Sequence, residues 1–178
     1  MVNKNTSKFL SLILRHQPEL IDIKLDKNGW ADVDELIEKI NDSGHNLDLE
    51  LLKELVETND KKRFSFNSDI TKIRANQGHS INVDVQLKKT VPPVKLYHGT
   101  AKKFLDSISE TGLDKRNRLH VHLTEDKTLA EKQGARWKDK TIILSIDCKQ
   151  MLEDGFDFYK SENNVWLVDS VPSKYILI

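Results

Sequence analysis

Near the middle of the chain, Pro92-Pro93 prevents any helix or central strand from running through. Each proline lacks an amide hydrogen and fixes its own φ, so the pair favours an extended connection. The expected organisation is two halves, residues 1–85 and 94–178, joined by a linker over 86–93. With 178 residues in all, each half can enclose a small core. The single cysteine, Cys148, excludes an internal disulfide, and nothing resembles a cysteine-rich zinc site. No apolar run approaches the roughly 18 residues of a membrane span. Met1 to Thr6 lacks the apolar stretch of a secretion signal. These features lead us to expect a cytoplasmic protein with no membrane partner.

The first half reads as short helices followed by a hairpin. Phe9, Leu10, Ile13 and Leu14 recur at helical spacing, with Thr6 or Ser7 as a cap and Pro18 as a stop. This leaves Arg15 and His16 at the last turn. Ile21, Ile23 and Leu25 alternate with Asp22 and Lys24, the period of a short strand, and Asp26 to Gly29 is a turn. Asp32 and Glu35 have capping-box spacing ahead of Val33, Leu36, Ile37 and Ile40. Leu49, Leu52, Leu55 and Val56 mark a third helix. Beyond Asn59-Asp60 come two strands, Arg63 to Phe66 and Ile70 to Ala75. Three helices and a trailing hairpin are the pattern of a winged-helix domain.

The second half is richer in strands. Val94, Leu96 and His98 alternate with Lys95 and Tyr97, and a helix over Phe104, Leu105 and Ile108 ends at Gly112. Leu119, Val121 and Leu123 form one strand face, with His120 and His122 on the other. A helix at Leu129-Ala130 precedes Gly134. Ile142 to Ile146 reads as a central strand, and Phe156 to Tyr159, Val165 to Val168 and Tyr175 to Ile178 as further ones.

Charge narrows the function. The chain has 28 basic and 28 acidic residues, so it is no bulk polycation coating nucleic acid. Through residue 82 there are 12 basic and 14 acidic residues, and afterwards 16 and 14. A winged helix that grips duplex DNA needs a basic face, which argues against that role. Arg15-His16 at a helix end, and Arg74 in Ile73 to Ser80, offer planar guanidinium forks suited to phosphate oxygens. The bland alternative is a solvated turn with a basic helix cap. Tyr97-His98-Gly99-Thr100 is expected to close a strand and open a helix, the glycine letting a ligand approach the backbone. His120 and His122 invite a metal, but no acidic or thiolate partner stands at ligand spacing, so none is expected. A nucleophile elbow and a glycosidase carboxylate pair are absent.

Together these segments resemble the RNA 2'-phosphotransferase family, the KptA-type enzymes. The resemblance rests on Leu14-Arg15-His16-Gln17-Pro18, Ile73-Arg74-Ala75-Asn76-Gln77-Gly78-His79-Ser80, Tyr97-His98-Gly99-Thr100, His120-Val121-His122-Leu123-Thr124 and Gly134-Ala135-Arg136. Asn164-Val165-Trp166-Leu167 and Val171-Pro172 extend it over nearly the whole chain, with Asn164 standing where the family pattern has glycine. The resemblance implies an α+β protein, a winged-helix N-lobe followed by a C-lobe of the ADP-ribosyltransferase fold. It implies that Arg15, His16, Arg74 and Arg136 are catalytic, a clamp drawn from both halves. It implies that His98, Gly99, Thr100 and His122 cradle NAD, a co-substrate that is consumed. Val165 falls where many protein ADP-ribosyltransferases carry a glutamate.

The implied substrate is an RNA bearing an internal 2'-phosphate, of the kind left at tRNA splice junctions. That phosphate displaces nicotinamide to give an ADP-ribosylated 2'-phospho-RNA. The ribose 2''-hydroxyl then attacks phosphorus, yielding 2'-hydroxyl RNA and ADP-ribose 1'',2''-cyclic phosphate. A phosphate monoester, with a second pKa of about 6, is mostly dianionic at neutral pH and needs no carboxylate to activate it. An apolar Val165 suits that nucleophile. An ADP-ribosyltransferase that stops after the first step, on a phosphate terminus or a protein, is the alternative.

Overall fold

The computed structural model describes residues 4–59 and 61–178. Met1 to Asn3 of the N-terminal reading, and Asp60 of the Asn59-Asp60 boundary, lie outside them. The chain is a mixed α+β protein whose contacts separate into two compact units, Met1–Gln86 and Leu87–Ile178. Among the described residues no helix is long and apolar enough to cross a membrane.

The first unit runs α1 (Lys4–Arg15), β1 (Ala31–Asp32), α2 (Val33–Asp42), α3 (Leu49–Glu57), β2 (Phe64–Phe66) and β3 (Lys72–Ala75). The apolar spacing of α1 places Leu10, Ile13 and Leu14 in one core with Leu36 and Ile40 of α2 and Leu52 and Leu55 of α3. Asp32 caps α2, its carboxylate accepting from the Glu35 N–H at 3.0 Å, and Asp48 caps α3 through Leu51 at 2.8 Å. The sheet is antiparallel in the order β1-β3-β2, so the strand bearing Arg74 is central.

Two local expectations fail. Thr6 and Ser7 lie inside α1 rather than capping it. Ile21, Ile23 and Leu25 do not form a strand. Pro18 starts a 3-10 turn, Asp22 adopts φ 52°, and the amides of Asp22 and Ile23 bond back to Glu19 and Pro18. The alternating burial is present, with Ile21 and Ile23 in the core, but the backbone is satisfied locally and joins no ladder.

The second unit contains β4 (Lys88–Lys89), β5 (Lys95–Ala101), α4 (Leu105–Thr111), β6 (Leu113–Asp114), β7 (Val121–Leu123) and α5 (Lys127–Gly134). It continues with β8 (Thr141–Asp147), α6 (Cys148–Glu153), β9 (Tyr159–Lys160), β10 (Trp166–Val168), β11 (Ser170–Val171) and β12 (Ile176–Leu177). One antiparallel sheet has the order β12-β8-β5, with the apolar run of β8 central as its composition requires. A second has the order β4-β9-β10-β7, and β6 pairs with β11. Paired amides of Tyr97 and Thr124, at 2.8 and 3.0 Å, join β5 to the end of β7. The expected linker is therefore only partly a connector: Lys88-Lys89 pair with Tyr159-Lys160, and Thr90 donates to Phe158.

Two glycines bring α5 onto β5. A Cβ on Gly99 would lie 1.7 Å from the Ala130 carbonyl oxygen. One on Gly134 would lie 2.5 Å from Thr141 Cγ2 and 3.0 Å from the Thr100 carbonyl oxygen. Helix backbone thus rests on strand backbone with no side chain between them. Gly99→Ala should cost at least ~3 kcal/mol, because the obstruction is backbone and cannot rotate away. Gly155→Ala meets nothing within 4 Å and bears only its φ of +90°, a cost of about 1–2 kcal/mol. Urea unfolding of both variants checks this, and equal losses would contradict it.

Candidate functional site

In the first unit, three elements gather basic side chains. Arg15 ends α1, where a cation offsets the partial negative charge of the helix C-terminus. His16 follows, its Nδ1 2.9 Å from the Ser80 hydroxyl, while the Ser80 amide donates to the Arg15 carbonyl at 3.0 Å. The segment after β3 is thereby fastened to the end of α1. Arg74 on β3 is 9% exposed and lies over the indole of Trp30, its Cζ 4.4 Å from the ring centroid. Arg15 stands 5.9 Å from the Phe64 ring centroid.

His79 lies among these cations and is 1% exposed. Burial, followed by the charges of Arg15, His16 and Arg74, pushes its pKa down to about 4. It is a neutral ring within the basic cluster. Asn76 is likewise committed, its Nδ2 donating to the Lys62 carbonyl at 2.8 Å. Arg15, His16 and Arg74 are the basic groups whose charges act on His79. Trp30 went unremarked in the sequence, because nothing in its local pattern links it to a strand some forty residues later.

In the second unit, Tyr97 to Thr100 lie wholly within β5 rather than at a strand-to-helix junction. The Cβ side of Gly99 is taken up by the approach of α5, and Thr100 is buried. His98 Nδ1 lies 3.0 Å from the His122 carbonyl oxygen, so that nitrogen must carry the hydrogen and donate. Burial, and then the charges of Arg118 and Arg136, lower the His98 pKa against the opposing effect of that hydrogen bond. His98 is therefore neutral, with Nε2 free of hydrogen and able to accept from a hydroxyl. His122 sits on β7 opposite Leu167. Its Nδ1 is 3.2 Å from Arg118 Nη1, and since guanidinium only donates, Nδ1 accepts.

Arg136 lies on the 3-10 turn Ala135–Trp137 after α5, with Nε donating to the Gln133 carbonyl at 3.0 Å. Arg118 joins this set and was missed; the available signal was a basic residue four positions before His122. His120 has different surroundings from His122, its ring 5.8 Å from that of Tyr159. Among the described residues no three His, Cys, Asp or Glu side chains gather as metal ligands. Asn164, the departure from glycine, has φ 59°, a left-handed conformation that asparagine tolerates better than most residues.

Guanidinium forks match the oxygens of phosphate groups, and neutral imidazoles can exchange hydrogen bonds with hydroxyls. A family model described as RNA 2'-phosphotransferase, Tpt1 / KptA family, matches residues 2–170. A probable RNA 2'-phosphotransferase of Flavobacterium johnsoniae is 58% identical over 175 residues, 98% of this chain and 96% of the relative. One of Fusobacterium nucleatum is 57% identical over 169 residues, 95% and 94% of the two chains. One of Nostoc punctiforme is 49% identical over 170 residues, 96% and 93%. The chain belongs to the RNA 2'-phosphotransferase family, whose members are transferases.

The buried His79 gives the first unit a pH limit. Its folded pKa of about 4 lies below the ordinary 6.5, so between these values the unfolded chain holds a proton that the folded one releases. This stabilisation is complete above pH 6.5 and is lost as pH falls towards 4. The loss is on the order of 3 kcal/mol. Imidazole NMR should show His79 inflecting near pH 4, with unfolding free energy falling over the same range. A His79 signal titrating near 6.5 would contradict the assignment.

Proposed function

We propose that this chain is an NAD-dependent RNA 2'-phosphotransferase that moves an internal 2'-phosphate of a tRNA-like RNA onto NAD in two steps. The convergence of Arg15, His16 and Arg74 around a neutral His79 carries this reading. Such a cluster of guanidinium forks suits a phosphate dianion. In this reading the first unit is a winged helix turned to phosphate binding. The second is an ADP-ribosyltransferase-like unit, a reading its paired antiparallel sheets support.

The residues of the second unit fit NAD. His98, its Nδ1–H given to the His122 carbonyl, offers Nε2 as acceptor to a ribose hydroxyl, and His122, its Nδ1 accepting from Arg118, carries its hydrogen on Nε2. The guanidiniums of Arg118 and Arg136 suit a diphosphate. Bound NAD supplies an electrophilic ribose carbon bearing nicotinamide as leaving group. Arg15 and Arg74 orient the RNA phosphate and offset the charge that builds on its equatorial oxygens. His16 exchanges a proton during the second step, its orientation set through Ser80. Val165, immediately before β10, leaves the nucleophile without a carboxylate base, and a dianion needs none. Gly99 and Thr100, inside β5 with His98, complete the NAD-contacting set that the resemblance implies. We place this activity in the cytoplasm.

The test is to mix protein, NAD and an oligoribonucleotide bearing one internal 2'-phosphate. Phosphate loss with release of the cyclic phosphate is expected. Phosphate retained at excess protein and NAD would overturn the function, and a stable ADP-ribosyl adduct would favour transfer that stops after one step. His16→Ala and Arg74→Ala should slow the second step by roughly 10²–10³ and accumulate ADP-ribosylated 2'-phospho-RNA. Loss of both steps together would assign these residues to binding instead.

A further inference from the structure

The second unit also carries an aromatic surface that the transfer chemistry does not use. Trp137 follows Arg136 directly on the 3-10 turn and is 53% exposed. Its ring meets Phe104 edge to face, with centroids 5.0 Å apart and planes at 78°. The indole is propped by a neighbour rather than covered. Lys103 Nζ lies 5.1 Å from the Phe104 centroid and 5.8 Å from that of Trp137.

The backbone beneath this surface is tied down. The Lys102 amide donates to the Lys140 carbonyl at 2.8 Å. The amides of Lys103 and Lys140 donate to the two carboxylate oxygens of Asp139, at 3.1 and 2.7 Å. Asp139 is thus occupied by backbone, while Lys102, Lys103, Lys138 and Lys140 are exposed. An open cavity of about 360 Å³, lined by Lys102, Lys103, Leu105, Asp106 and Asp139, lies along it.

A fixed, open indole bordered by lysines matches a single-stranded nucleotide, whose base stacks on the ring while its backbone meets ammonium groups. An acidic peptide would satisfy the lysines but offers no flat partner for the indole. We propose that Trp137 stacks a base of the substrate RNA, with Lys103 and its neighbours on the adjoining backbone. This rests on the proposed function for the identity of the RNA. Trp137 and its lysines are then a binding surface for the RNA strand that takes no part in the chemistry at phosphorus.

The experiment uses the full chain without NAD, so that it does not depend on transfer. Binding of a fluorescent hexaribonucleotide with one internal 2'-phosphate is followed by anisotropy. Trp137→Ala should weaken binding about 5- to 150-fold, the range for one stacked base, and Trp137→Phe should restore most of it. A hexanucleotide abasic at every position should bind wild type and Trp137→Ala alike. Lys103→Gln should reduce the logarithmic salt slope by about 0.7. In the transfer assay, Trp137→Ala should raise KM and leave kcat. Equal binding by wild type and folded Trp137→Ala overturns the proposal, as does a loss that Trp137→Phe leaves unrepaired. A change in sedimentation of Trp137→Ala with unchanged RNA affinity would assign the face to self-association and also overturn it. RNA bound through Trp137 without phosphate transfer would support this surface while overturning the proposed function.

Discussion

Like charges held close together cost energy unless something offsets them, and Arg15, His16 and Arg74 are held close together. The first unit meets that cost in several ways. Arg15 sits at the C-terminal end of α1, and Arg74 lies over the electron-rich face of Trp30. Ser80 fastens the segment after β3 to the end of α1 by a backbone and a side-chain contact. His79, in the middle, adds no charge of its own at neutral pH. In the proposed function this order serves an incoming phosphate, because folding has already placed the cations.

The second unit depends on a different constraint, the direct packing of α5 on β5 at Gly99 and Gly134. That contact fixes the start of the turn bearing Arg136 relative to the strand bearing His98. It also explains why a glycine that reads as a ligand-approach position is buried under a helix. The histidines then take definite hydrogen positions from their neighbours. A carbonyl can only accept from His98, and a guanidinium can only donate to His122. Electrostatics and backbone packing together define what each ring offers.

Where local chemistry determined the outcome, the sequence was legible. The cap at Asp32, the stop at Gly112, the central apolar strand β8 and the placing of Arg15-His16 at a helix end all follow from short-range pattern. Elements of two residues, such as β4, β6 and β11, are too short to show a period, and α6 offers only its Asp147 cap. Ile21 to Leu25 misled because alternating burial does not require a ladder. In the site, Arg15, His16 and Arg74 could be named from their residue types. The neutral state of His79, the Trp30 support and the place of Arg118 depend on contacts between distant segments, and no local pattern encodes those.

The claim on which the account turns is that the basic cluster of the first unit holds the RNA 2'-phosphate as a dianion. Phosphorus NMR of a 2'-phosphorylated oligoribonucleotide bound to the full chain measures this through the pH dependence of that one resonance. The free group titrates at about 6, and neighbouring cations should lower the bound value by roughly 1–3 units. Arg15→Ala combined with Arg74→Ala should return it towards the free value. A bound phosphate that titrates like the free one, or a lowered value that survives loss of both arginines, would contradict the account.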